Sequence, residues 1–430
     1  MTNILATATL KHLSRRCLLD NALRLKGFDL DKTKPVLKKL LLSSDGIPTQ
    51  ELDRDLVDNL FHHHLVQFYS FDNKPISTPF TFFRFIRFIN FELTYSCQLS
   101  CSHCLQAGLR SQNKFGWLPV DAVIRAIHDA KWLGLTALVN FTGGEIFTPR
   151  SPILELLAVA KEVDILTRAN TNGWWGGQSK IKVGNRVFQK DEDVVQAFVD
   201  RKLMRLALSL DNRYEQYPKL LDRVVRVASL CEAAKLPYEV VATQPSQKII
   251  GIALKKLIVA IGSEPYYMRV SPMTTVDVGA AALQNKSGLD VSKIVELVYS
   301  AHCATKGFHR PSFLHIAPDG GVRSCMYAPG SGWLGNIIHQ SLPEILNKIA
   351  ERPVYQLFKS GNFDDFVDEY MAGWAHLYKD INHGCTASAV IARIAEEVYK
   401  KEAEHDRCLT EEEMTELHKT IGKDYHLLVN

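Results

Sequence analysis

At 430 residues the chain is long enough for two or three domains, and 46% hydrophobic with 23% charged residues is an ordinary globular balance. A net charge of +4 without a block of like charge gives no footprint for nucleic acid or an anionic membrane, and no apolar run nears the ~18 residues that span a bilayer. Nine cysteines, an odd number with one tight cluster, point to metal or redox chemistry in the cytoplasm rather than to a disulfide framework.

The opening "MTNILATATLKHLSRRCLLDNALRLKG" is basic and faintly amphipathic, but it lacks a secretory apolar core and Asp20 and Asp29 soon follow. A plain N-terminal helix is expected. In "PTQELDRDLVDNLFHHHLVQFYSF", Leu52, Leu56, Val57, Leu60, Phe61 and Leu65 share a helical face behind Thr49 as a cap, and an extended piece follows over 66–71. Residues 1–79 therefore read as a helical or winged-helix-like domain, closed by the linker "NKPISTP". The triple histidine His62–His64 points three ways on a helix and reads as a solvated face.

From residue 80 the rhythm changes. "FRFIRFINFELTYS", "LTALVNFTGGE", "VDILTRANTNG", "MRLALSLD", "PYEVVATQ" and "PYYMRVSP" are six strands rich in β-branched and aromatic residues. Helical patterns separate them, among them "LPVDAVIRAIHDAKWLG", "SPILELLAVAKE" with Ser151 as N-cap, and "PKLLDRVVRVASLCEAAKL", where Cys231 is a small core residue. This alternation implies a parallel sheet with right-handed crossovers, a partial (β/α)6 TIM-like barrel over 80–285, whose C-terminal strand ends carry the polar motifs. After that come a helix, a hairpin turning on "PDGG" over 286–400, and a helical tail over 401–430.

"CQLSCSHC" sets Cys97, Cys101 and Cys104 at C-x3-C-x2-C spacing on the loop after the first strand. A [4Fe–4S] cluster takes a thiolate on each iron, so three local cysteines leave one iron open. A structural zinc site would need a second C-x2–4-C knuckle, which is absent here.

With that signature the sequence resembles the radical S-adenosylmethionine (SAM) superfamily. The resemblance implies that Cys97, Cys101 and Cys104 hold the cluster, and that its open iron chelates SAM and cleaves it to a 5′-deoxyadenosyl radical. "TGGE" is similar to the family's SAM-amine motif, which carries over Gly143, Gly144 and Glu145. "NTNG" and "SLD" resemble positions facing the ribose and methionine carboxylate, giving Asn170, Asn172, Ser209 and Asp211. "MRVSP" places Arg269 at the adenine side. Gln98 and Ile146 depart from the commoner Asn and Pro.

Cys303, the turn glycine Gly320, Cys325 and "WLGNI" resemble the start of a SPASM or twitch extension, which carries auxiliary iron–sulfur clusters. The fuller cysteine run is missing, so one auxiliary cluster on Cys303, Cys325 and Cys385 is implied, with Cys408, His383 or a substrate as fourth ligand. Cys408 is alternatively a hydrogen-atom donor. Trp174 and Trp175 follow a strand end and are candidates for a substrate pocket, with loop packing as the equal alternative.

The expected function is radical modification of a ribosomal peptide in natural-product biosynthesis, with residues 1–79 helping to hold the leader and a flavodoxin or ferredoxin as electron donor. The alternative is a dehydrogenase or epimerase acting on a sugar or aminocyclitol. An iron–sulfur sensor with a DNA-binding N-terminal domain is the non-enzymatic alternative, which lacks a basic recognition helix.

Overall fold

The computed structural model describes residues 3–6, 10, 14, 19–43, 47–48, 52–63, 65–69, 88–101, 104, 106, 116–133, 138–210, 217–243, 247–273, 292–300, 313–323, 334–348, 352–378, 381 and 384–429. The N-terminal unit holds β1 (Asn3–Ala6), α1 (Leu19–Leu25), α2 (Leu30–Leu42), β2 (Ile47–Pro48), α3 (Arg54–His62) and β3 (Val66–Tyr69). Strand β1 lies between β2 and β3 and is antiparallel to both. The helix expected within the opening 27 residues is present as α1, but the strand β1 precedes it. The four residues of β1 show no period, and their pairing with β3, 60 to 66 positions away, cannot be read locally.

The unit's core, including Leu23, Leu37, Leu40 and Leu60, continues onto Leu138, Leu166 and Met204. These three lie at the starts of barrel strands, so the N-terminal unit covers the edge opposite the strand ends. A polar cluster joins the two parts. Asp164 Oδ2 lies 2.8 Å from Lys26 Nζ, 3.1 Å from His63 Nδ1 and 3.9 Å from Lys131 Nζ. His63, in the turn after α3, is thus a docking residue and not part of a solvated face.

Burial alone would raise the Asp164 carboxyl, but the hydrogen bonds from His63 and Lys26 outweigh it and hold it well below the usual range. A depressed carboxylate stabilises above its unfolded pKa of about 3.9 and loses that contribution as pH falls through its folded value. Through Asp164, docking is therefore expected to weaken in acid. Asp164→Ala should cost about 2 kcal/mol at neutral pH, read as earlier proteolytic release of the N-terminal unit. Unchanged proteolysis would remove the cluster from the account.

The barrel follows as β4 (Phe88–Glu92), α4 (Val120–Leu133), β5 (Leu138–Thr142), α5 (Ile153–Glu162), β6 (Thr167–Thr171), the small hairpin β7 (Ile181–Val183) and β8 (Arg186–Phe188), α6 (Asp191–Asp200), β9 (Arg205–Ser209), α7 (Pro218–Ala233), β10 (Tyr238–Thr243), α8 (Gln247–Ile261) and β11 (Met268–Met273). Strands β4, β5, β6, β9, β10 and β11 are adjacent in chain order and all parallel. The expected partial barrel is what forms. At α5 the N-cap is Pro152, and Ser151 Oγ instead accepts the Ile153 N–H at 3.2 Å.

Alternate strand residues divide the chemistry. Ile89, Phe91, Val139, Phe141, Leu206, Leu208 and Val240 join the core. The opposite face carries a hydrogen-bonded belt. Asn140 donates to Asn90, Arg168 Nη1 donates to Asn140 at 3.0 Å and Asn170 at 2.6 Å, Arg168 Nε meets Glu239 at 2.9 Å, and Ser271 also donates to Glu239.

C-terminal to the barrel lie α9 (Ser292–Ser300), β12 (Phe313–Ile316), β13 (Gly321–Arg323), β14 (Gly335–Asn336), α10 (Leu342–Asn347), α11 (Pro353–Ser360), α12 (Phe363–Tyr370), α13 (Gly384–His405) and α14 (Glu411–Val429). Strand β12 pairs parallel with β4, and β13 and β14 continue the sheet antiparallel. The expected hairpin turns at Asp319–Gly320, where Gly320 has φ +80° and Asp319 Oδ1 accepts the Gly321 N–H at 2.9 Å. The expected division at 400/401 falls inside α13, which packs against α14 as one helical pair. Among the described residues, no helix is long and apolar enough to cross a membrane.

Candidate functional site

The site grows from the end of β4. Leu93 N–H donates to Thr142 O at 2.8 Å, Gly144 N–H to Thr94 O at 2.6 Å and Glu145 N–H to Ser96 O at 2.9 Å. The turn after β5 is thereby sewn to the segment entering the cysteine loop. Two glycines make this approach possible. A Cβ on Gly143, which has φ +145°, would stand 2.3 Å from Thr94 O, and one on Gly144 would stand 2.1 Å from Ser96 O.

Cys97, Cys101 and Cys104 follow, all three half-buried. Cys104 N–H donates to Cys101 O at 3.2 Å, and Ser100 N–H donates to the Tyr217 hydroxyl at 2.9 Å, tying the loop to the start of α7. Cys97 Sγ accepts from Leu99 N–H at 3.4 Å and from Asn172 Nδ2 at 3.8 Å. No three of the described His, Cys, Asp and Glu side chains converge closely enough to hold a single metal ion. A cubane has a different requirement, since each thiolate binds a separate iron. Three cysteine sulfurs spread over one loop are a soft donor set of that kind.

Glu145 is fully buried. Its carboxylate accepts from Thr171 Oγ1 at 3.0 Å, Asn172 N–H at 2.8 Å and Phe147 N–H at 2.9 Å, so it locks the end of β6 to the glycine turn. Asn170 points into the polar belt, and Asn172 reaches the cysteine loop. Ser209 ends β9, half-buried. Arg269 stands opposite Glu239 in register, on the belt face below the strand end. Trp175 is fully buried against Phe147 and Phe198 with Nε1–H on Thr171 Oγ1, so it packs the core and lines no pocket. Trp174 is half-buried, its Nε1–H on Phe147 O at 3.1 Å.

Asp211, Cys303, Cys325 and His383 lie outside the described residues, as does the side chain of Cys385 in the first turn of α13. Cys408 is an exposed thiol in the turn between α13 and α14.

Sequence reasoning passed over the ion pair of Arg323 on β13 with Glu92 at the end of β4, both buried, with Tyr95 O–H donating to Glu92 at 3.0 Å. The available signal was a glutamate in the apolar run "FINFELTY", since a buried carboxylate requires a cation. Tyr217 left no such signal.

Fold and site together define a parallel α/β half-barrel that presents three cysteines beyond the C-terminal ends of its strands. No family model matches the chain, and no curated protein matches it. Similar solved structures include BtrN in an open conformation, at 12% identity over 64% of this chain and 86% of that one, with a TM-score of 0.33. BtrN in complex with AdoMet and 2-DOIA gives 13% identity, 65% and 89% coverage and a TM-score of 0.36. anSMEcpe with bound AdoMet gives 13% identity, 79% and 99% coverage and a TM-score of 0.42.

Proposed function

We propose that the chain is a radical SAM enzyme. The observation that carries this reading is the set of three cysteines at C-x3-C-x2-C spacing on a loop sewn by backbone hydrogen bonds to a Gly-Gly turn at adjacent strand ends. When bound there, a [4Fe–4S] cluster with SAM supplies an electron that cleaves the sulfonium and yields a radical able to take hydrogen from an unactivated C–H bond. Cys97, Cys101 and Cys104 hold the irons, Glu145 and Tyr217 fix the walls of the loop, and Gly143, Gly144, Asn170, Ser209, Asp211 and Arg269 border the SAM position. Cys303, Cys325 and Cys385 hold an auxiliary cluster.

The substrate in this reading is a ribosomal peptide, and residues 1–79 hold its leader. Because that unit covers the opposite edge, the leader must pass strands of five residues, roughly 17 Å at about 3.3 Å per residue. The modified residue then lies at least about five extended residues beyond the leader's docked end. A polar small molecule is the second reading, and the belt of Asn140, Arg168, Asn170 and Glu239 favours it by offering hydrogen bonds inside the barrel.

Anaerobic reconstitution of the wild type beside a Cys97/Cys101/Cys104→Ala variant tests the reading. Iron and acid-labile sulfide in the wild type, with reductant-dependent release of 5′-deoxyadenosine lost in the variant, is the expected result. A variant that still cleaves SAM overturns it. Iron retained by the variant at about half the wild-type level would place a second cluster on the C-terminal cysteines.

A further inference from the structure

Asn172 is 6% exposed and every polar atom of its amide is engaged. Its Oδ1 accepts from Trp174 N–H at 3.0 Å and from Gln98 Nε2 at 3.5 Å, while Nδ2 stands 3.8 Å from Cys97 Sγ. The backbone N–H of Trp174 fixes which way the amide faces, because a flip would set the Asn172 NH2 against it. The backbone is fixed as well, since Asn172 N–H is held by the buried Glu145 carboxylate at 2.8 Å. The result is a preorganised donor aimed at one sulfur, on a strand end that is separate from the cysteine loop.

Hydrogen bonds to a cluster's sulfurs set its reduction potential together with charge and burial. A donor stabilises negative charge on the thiolate, and the reduced cluster carries one more negative charge than the oxidised one. The donor therefore favours reduction. Resting on the radical SAM reading, we infer that Asn172 is a positioning residue for Cys97 whose side-chain N–H raises the reduction potential of the cluster, easing uptake of the electron from a low-potential donor.

Two variants separate this from a purely structural role. Asn172→Asp keeps an oxygen for Trp174 and Gln98 but replaces the donor with an anionic acceptor. Asn172→Ala removes donor and acceptor alike. Reduction potentials of the reconstituted clusters are read by an electron paramagnetic resonance titration with dithionite, alongside iron content. The expected order is wild type, then Ala, then Asp. At a fixed ambient potential, Asn172→Asp should show at least a tenfold lower ratio of reduced to oxidised cluster, equivalent to 59 mV for one electron.

A structural role predicts a different order, with Asp like the wild type and Ala depleted of iron, and that result overturns the inference. If Asn172→Asp assembles no cluster, Asn172→Ala decides: a lowered potential supports the inference and an unchanged one overturns it. If neither assembles a cluster, Asn172 acts in assembly and tuning is overturned. A wild type that holds no SAM-cleaving cluster defeats the underlying reading instead, which the wild-type control reports separately.

Discussion

Gly144→Ala is expected to fold poorly and to assemble no more iron than the three-cysteine variant. The added Cβ would lie 2.1 Å from Ser96 O, 2.6 Å from Ser96 C and 2.7 Å from Tyr95 O. All three are backbone atoms, so no rotamer change relieves the overlap, and the turn after β5 must move away from the cysteine loop. Overpacking of this kind costs about 1–3 kcal/mol or more, and it falls on the segment that positions Cys97. Gly177→Ala is the matched control. Gly177 has φ +70° with nothing within 4 Å of its Cβ position, so that change carries only left-handed strain of roughly 1–2 kcal/mol. It should retain wild-type iron. Wild-type iron in Gly144→Ala would show that the turn and the loop are not held together as described.

The second large effect is expected at Arg323 and Glu92. Both are buried, and Tyr95 completes the group. Removing one partner leaves a buried charge without its counter-ion, so Arg323→Met or Glu92→Gln alone should cost about 3–5 kcal/mol, read as a lower denaturation midpoint. The double variant should recover most of the loss, because the desolvation penalty goes with the charges. Single variants costing less than about 1 kcal/mol would mean that water reaches the pair. Because Glu92 precedes Cys97 by five residues, the single variants should also lower iron content, while the double variant restores it.

The barrel was legible because its strands carry their own signal. "LVNFT" and "RLALS" are short β-branched or apolar runs bounded by helical periods, and all six such runs became parallel neighbours in chain order. The cysteine and glycine motifs were legible for the same local reason. What could not be read was pairing across distance. Strand β1 depends on Val66–Tyr69, β12 depends on β4, and neither dependence leaves a mark in the residues concerned. The small hairpin β7–β8 was missed because "IKVGNRVF" is too short to announce itself between a strand and a helix.

The site shows the same division. Glycines at 143 and 144 stand out in the motif, but the backbone atoms of Thr94, Tyr95 and Ser96 that their Cβ positions would meet lie on another segment. The pocket reading of Trp175 failed because burial on all sides is set by Phe147 and Phe198, from two other segments. His63 was read as solvated because Asp164, its partner, is a hundred residues away.

Pairing of β12 with β4 also has a consequence for the order of events during synthesis. Glu92 and Arg323 are 231 positions apart, and translation at about 5–20 residues per second separates their emergence by roughly ten to fifty seconds. Through that interval the nascent cysteine loop is flanked on one side by β5 and open on the other. Metal delivery during that window would meet a loop whose supporting strand is still an open edge, and the returning strand would then complete the sheet beside β4.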